Sequence, residues 1–311
     1  MGPKRFILSC MFMVFLTACS KPPVSNTGMP KFKIDQQLFP YQSRYITLDN
    51  GEKIHYVDEG KGPTILLLHG NPAWSFLYRN IIAALKDDFR LIAPDYPGFG
   101  LSSASKNYTF TAIEHAQAVS EFVQKLDLKD IGIMMQDWGG PIGFYVALQN
   151  QQRVSRFIIG NTWAWPLERR GHKTFSTLMG GWIGQFGAWC CNGVVRFFMN
   201  KGVVNKLGDK VLAMYLAPFK EGYRRTATHV FPAQLRDAEK FLSNIYMQLD
   251  TLSDRPVLFV WGMQDFAFQK PELSRFESIF QKHQTVLLEN AGHFIQEDAP
   301  GNIADAIRKF Y

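Results

Sequence analysis

Ile131-Gly-Ile-Met-Met-Gln-Asp137-Trp-Gly-Gly140 is the stretch on which the reading of this chain turns. Its first five residues are uncharged and rich in Ile and Met, as in a buried central strand. Asp137 ends that apolar run, where an ionised side chain is costly unless something uses it. Two glycines follow, and Pro141 to Leu148 continue with helical spacing. The local reading is strand, sharp turn, helix. Asp137 itself is open to two readings. It caps the helix that starts near Gly139, as Asp commonly does. Alternatively it is a nucleophile at the apex of a strained turn of the G-x-S-x-G type, with Met135 and Asp137 in place of the first glycine and the serine.

The flanking sequence repeats the same rhythm. Tyr45–Leu48 and Lys53–Val57 form a hairpin across Asn50-Gly51. Thr64–Leu68 is a short apolar strand ending in His69-Gly-Asn71-Pro, and a helix runs from near Trp74 to Leu85. Phe89–Pro94 is a further strand, and Thr111–Leu126 a helix. After the helix from Gly139 comes a strand at Arg156–Gly160. Alternating strands and helices imply a mostly parallel sheet with helices on both faces. From Asn161 to about Leu252 the alternation stops, and the Trp-, Phe-, Leu- and Met-rich sequence reads as an inserted helical cap. The sheet resumes with Arg255–Gly262 and Gln284–Glu289, and a last helix spans about Pro300–Tyr311. Ligands of such sheets bind at the carboxyl ends of the strands, where Asn71 and Asp137 stand.

With 311 residues, 46% of them hydrophobic, the chain can bury a large core. Its net charge of +7 comes without a basic run that would track phosphates, so nucleic acid is not an expected partner. Lys4 and Arg5 precede an apolar run from Phe6 to Leu16, too short to span a membrane, and this reads as a secretory signal. Leu16-Thr-Ala-Cys19 resembles a bacterial lipobox. The resemblance implies cleavage before Cys19, lipidation of that residue and an envelope lipoprotein anchored to a membrane, with residues 20–29 as a tether. Cys190 and Cys191 are adjacent, where a bridge is strained, and are expected as buried thiols. No metal site and no cofactor is expected.

Asp137, Asp265 and His293 each lie directly beyond an apolar strand, in the order nucleophile, acid, histidine. Gln136-Asp-Trp-Gly-Gly, His69-Gly-Asn-Pro, Trp261-Gly-Met-Gln-Asp265 and Ala291-Gly-His-Phe resemble the α/β-hydrolase superfamily, and specifically its haloalkane dehalogenases. Asp95-Tyr-Pro-Gly-Phe-Gly-Leu-Ser and the cap stretch Tyr215-Leu-Ala-Pro-Phe fit the same family. The resemblance covers nearly all of the chain from Phe39, and the N-terminal signal departs from it. The expected organisation is a signal at 1–18, a tether at 19–38, an α/β-hydrolase core at 39–160 and 253–311, and a cap at 161–252.

Such an enzyme converts a haloalkane and water to alcohol, halide and a proton. A carboxylate can displace a leaving group from alkyl carbon, which makes Asp137 the site of an alkyl ester. A neutral His293 then takes a proton from water, and Asp265 fixes its tautomer. The resemblance implies that Asn71 and Trp138 hold the departing halide through side-chain N–H groups and supply the oxyanion hole from their backbones. It also implies a small hydrophobic halogenated substrate. His69 is expected to have a structural role. The nearest rival is an epoxide hydrolase with the same triad, which needs cap tyrosines as acids, and Tyr215, Tyr223 and Tyr246 are available. A binding or scaffold module is the rival of another class, and an intact triad argues against it.

Overall fold

The computed structural model describes residues 29–105, 107–167 and 170–311. The signal and residues 19–28, including Cys19, lie outside the described residues. Arg44–Thr47 (β1) and Lys53–Glu59 (β2) pair antiparallel with Thr47 opposite Lys53, and Gly51 in the turn takes φ +87°. The other strands are Thr64–Leu68 (β3), Arg90–Pro94 (β4), Ile131–Asp137 (β5), Val154–Thr162 (β6), Val257–Gly262 (β7) and His283–Leu288 (β8). They form one sheet in the order β1-β2-β4-β3-β5-β6-β7-β8, parallel from β4 onward. Every residue of β5 is buried, because β3 and β6 pair with it on either side and helices cover the sheet.

Helices α1 (Arg79–Leu85), α2 (Ala112–Lys125) and α3 (Gly139–Gln149) belong to the first half of the core. Thr111 caps α2 by accepting from the Glu114 N–H. Met135 of β5 packs towards Gly143 of α3. Gly132, three residues away and so on the opposite face, opens towards Tyr311 at the chain end. Helices therefore lie on both faces.

Between β6 and β7 the chain forms only helices and helical turns among the described residues. They are α4 (Arg170–Gly180), α5 (Trp182–Cys191), α6 (Gly193–Lys201), α7 (Asp209–Leu216), α8 (Thr226–Asp237) and α9 (Glu239–Tyr246). Arg224 clips this layer to the core by donating to the carbonyls of Gly100 and Ser102 at 3.1 and 3.0 Å. A second clip is buried: Glu297, within α11 (Ile295–Asp298), accepts from Arg79 of α1 and from the Tyr215 hydroxyl of α7. The core closes with α10 (Lys270–Ile279) and α12 (Pro300–Phe310). No helix of the described residues is long and apolar enough to cross a membrane.

Two local expectations change. Packing begins before Phe39, since the Phe32 ring meets the buried Trp74 indole edge-on at 5.8 Å. Cys190 is exposed, not buried: it falls eight residues after Trp182 on α5, on the stripe of that helix that faces outward.

Candidate active site

Asp137 sits at φ +52°, a left-handed conformation that costs a non-glycine residue about 1–2 kcal/mol. Its neighbours make the turn possible. A Cβ on Gly139 would collide with the Leu68 carbonyl, and one on Gly140 with the Thr162 side chain. The first turn of α3 is therefore seated directly on the ends of β3 and β6. Thr162 Oγ1 donates to the Asp137 carbonyl at 2.5 Å, which fixes the strained peptide. The side chain does not cap α3, whose N-cap position is Trp138. Instead Asp137 Oδ1 accepts the Asn71 backbone N–H at 2.8 Å, and Gly70 leaves no room for a Cβ beside it. The capping reading is overturned.

Asp265 and His293 arrive from the loops after β7 and β8. Asp265 Oδ1 accepts the Ala267 N–H at 2.7 Å, and its Oδ2 lies 2.9 Å from His293 Nδ1. His293 Nε2 then points at Asp137 Oδ2, 3.6 Å away. All three side chains are buried or nearly so. Burial alone would lower the imidazole's proton affinity, but the carboxylates of Asp265 and Asp137 outweigh it and hold His293 up at about 10. A third group pulls the other way. The Gln136 side-chain nitrogen is 3.0 Å from Nε2 and donates to the His293 carbonyl at 3.1 Å, so its second N–H faces the Nε2 lone pair of a neutral imidazole. The pull of the two carboxylates outweighs the amide dipole, so His293 holds a proton more tightly than a free imidazole.

Above these groups lies a cavity of about 350 Å³. Its polar lining is Asn71, Asp137, Trp138, His172 and His293, and the rest is mainly aliphatic or aromatic, including Phe175, Phe198, Phe266 and Phe268. Trp138 is held by ring contacts with Trp163 at 4.7 Å and Phe231 at 4.9 Å. Asn71 Nδ2 donates one N–H to the Thr228 carbonyl of the cap at 3.1 Å, which orients the amide and leaves its second N–H for the cavity. No tyrosine lines the cavity among the described residues. Tyr215 is buried against Glu297, Tyr246 is exposed, and the Tyr223 side chain lies outside what is described.

The structure thus brings together Asp137, Asp265, His293, Asn71 and Trp138. His69 stands beside the site in a fixed tautomer: Nδ1–H donates to the Gly70 carbonyl at 2.9 Å and Nε2 accepts the Tyr96 N–H. Burial lowers it to about 4, so it is neutral and structural. Sequence reasoning missed Gln136, although a polar residue inside a fully apolar strand and next to the turn was a usable signal. It also could not place His172 or Asn161. Asn161 bridges strand ends, donating to the Gly262 carbonyl and accepting the Gly262 N–H.

A family profile described as the alpha/beta hydrolase fold matches residues 63–300. The chain is 43% identical over 278 residues to haloalkane dehalogenase 2 of Mycobacterium tuberculosis, covering 89% of this chain and 97% of that protein. It is 31% identical to a cis-3-alkyl-4-alkyloxetan-2-one decarboxylase of Shewanella oneidensis, covering 88% and 89%. The crystal structure of haloalkane dehalogenase DatA from Agrobacterium tumefaciens superposes with a TM-score of 0.81 at 23% identity, over 89% of this chain and 98% of that one.

Proposed function

The chain belongs to the haloalkane dehalogenases of the α/β-hydrolase fold, and from that membership we propose that it hydrolyses carbon–halogen bonds through an alkyl ester of Asp137. The observation that carries the reading is the nucleophile's setting. A carboxylate stands at the apex of a strained turn, with Asn71 N–H on one oxygen and His293 on the other, beneath an apolar cavity.

In the first step an Asp137 oxygen attacks the halogen-bearing carbon, and the halide leaves with the bonding pair. Trp138 and Asn71 present N–H donors with no acceptor on the same atom, which suits an anion. Esterification removes the Asp137 charge that helped hold the His293 proton, so the ring releases that proton to solvent and becomes a base. It takes a proton from water as that water attacks the ester carbonyl carbon. The oxyanion faces the Asn71 backbone N–H. Collapse passes the remaining hydroxyl proton to the departing alkoxide, which leaves as the alcohol, and restores the Asp137 carboxylate beside protonated His293. An epoxide would need an acid over the ring oxygen. The positions of Tyr215 and Tyr246 disfavour that alternative.

Purified chain incubated with 1-bromobutane should release bromide, and Asp137→Ala should release none. Single turnover in oxygen-18 water should place the label in the Asp137 carboxylate, and label in the alcohol alone would refute the ester. Carbon dioxide release from a cis-3-alkyl-4-alkyloxetan-2-one is the control suggested by the decarboxylase relative.

The N-terminus belongs to the same proposal. Leu16-Thr-Ala-Cys19 after an apolar run supports export and lipidation of Cys19, with the enzyme held at a membrane of the bacterial envelope. Cys19→Ala should move the chain out of the membrane fraction, and an unchanged distribution would remove the anchor.

A further inference from the structure

We infer that the outer face of α4–α6 rests on an anionic lipid bilayer, so that the cavity opens towards the phase in which a haloalkane dissolves. The inference rests on the dehalogenase reading and on the lipidated Cys19.

Eleven large hydrophobic side chains are exposed among the described residues, and five of them fall between 178 and 197. They are Leu178, Trp182, Ile183, Phe186 and Phe197, with Trp182 78% exposed. Trp182 and Phe186 are four residues apart and share one face of α5. Scattered apolar side chains need no explanation, but a cluster of this kind marks an interaction surface.

Charge says what covers it. Residues 169–208 include six Lys or Arg and no Asp or Glu. An apolar face containing Trp, in a stretch whose own charged side chains are all cationic, suits the interface of a bilayer rich in acidic phospholipid.

The patch also runs into the cavity. The Phe197 ring packs at 5.2 Å against Phe198, a cavity-lining residue. Phe198 in turn meets Phe175 at 5.9 Å and Phe266 at 6.3 Å. Phe266 both lines the cavity and is 39% exposed, which puts the opening beside this patch.

Finally, a chain of ring contacts links the start of the described residues to the cap. Phe32 packs on Trp74, Trp74 stacks on Phe76 at 5.3 Å, and Phe76 meets Tyr215 of α7 at 5.1 Å. Ten residues from Cys19 to Met29 reach at most roughly 35 Å, so a lipid on Cys19 holds this side of the molecule near the membrane.

The test uses the full lipidated chain in phosphatidylglycerol-containing vesicles that carry phospholipid with dibrominated acyl chains, which quench tryptophan only on contact. Trp182 is the most exposed indole, so wild-type emission should be quenched and a Trp182→Phe variant should lose most of that quenching. A Trp182→Ser/Phe186→Ser variant should still float with the vesicles through its anchor. Its turnover of a long-chain bromoalkane dissolved in the bilayer should fall about tenfold, with 1-bromobutane turnover in detergent unchanged. Equal quenching of wild type and Trp182→Phe on floating vesicles would overturn the docking. So would Trp182 shielded in a cross-linkable dimer without quenching. A chain that fails to float would overturn it together with the anchor. Absent bromide release from 1-bromobutane would instead sink the chemistry and, with it, the role of the patch in substrate supply.

Discussion

Esterification of Asp137 should switch His293 from acid to base, and Asp137→Asn reproduces that loss of charge with almost no change of shape. The two groups are 3.6 Å apart in a buried site. At an effective dielectric constant of about 20, a unit charge at that distance is worth about 4.6 kcal/mol to the imidazolium, or about 3 pH units. His293, held up at about 10 in the resting enzyme, should therefore titrate near 7 in Asp137→Asn. The Gln136 N–H facing Nε2 and the burial of the ring act in the same direction. The sign follows from the charge. Removing a carboxylate destabilises the protonated ring, so the proton leaves at lower pH. Carbon-13-labelled histidine followed by NMR reads the titration directly, and Asp265 keeps the ring in place through Nδ1 in both proteins. An unchanged titration in Asp137→Asn would refute the switch, because the base would then have to be neutral from the start. The same reasoning predicts that breakdown of the ester slows as pH falls below about 7, while the first halide is released over a wider range.

Three further outcomes follow from the geometry. His293→Gln should give a burst of one halide per enzyme and then stop, with turnover down at least 10²–10⁴-fold; rapid-quench halide assay with mass spectrometry of the alkylated chain checks it. Trp138→Phe keeps the ring between Trp163 and Phe231 but loses the indole N–H, and should lower kcat/KM and bromide affinity by about 1.5–3 kcal/mol, read from steady-state kinetics and bromide titration. Asp95→Asn should cost about 2–4 kcal/mol of stability in denaturant unfolding, since the buried carboxylate accepts from His55 Nδ1 at 2.8 Å and from the Ser75 and Leu101 N–H groups. Burial pushes Asp95 up, but His55 and these donors hold it below the usual carboxylate range. Its contribution is therefore present above the unfolded-state value and fades as pH falls through the folded one.

Asp137 and Asp265 were legible because they lie at or just beyond the ends of buried apolar strands, the plainest signal a sequence carries. The strand before His293 is mostly exposed, and that residue stood out through its place in the nucleophile, acid, histidine order. Whether Asp137 capped its helix or armed it was not legible in the stretch 131–140 itself, since both roles put a carboxylate at a helix start, and only Asp265 and His293 further along the chain favoured the nucleophile. What decides is the positive φ, which follows from crowding of Gly139 and Gly140 against Leu68 and Thr162 rather than from the identity of residue 137. The Glu297 clip joins Arg79 and Tyr215 across more than 80 residues of chain, and no local pattern signals it. The cap posed the same difficulty throughout. Its helices read as helices, but which of their aromatic rings turn inward depends on how six elements pack together.

That division of legibility tracks a division of labour. The core places the reacting atoms by backbone: a strained peptide, the Asn71 N–H and two loops fixed at strand ends. Such placement leaves little freedom, because the Cβ positions around Asp137 are already occupied. The cap contributes mainly shape, through rings such as Phe175 and Phe198 that touch one another and not the triad. An apolar wall separates substrates that differ by a methylene by only about 1–3 kcal/mol, and side chains in it can be exchanged without disturbing the elbow. Substitutions in the cap should therefore move KM and substrate range, and substitutions at the elbow should move kcat or the fold itself. One contact that crosses this boundary at the site itself is the Asn71 amide on the Thr228 carbonyl. There a shift of the cap is felt directly by a group that faces the leaving halide.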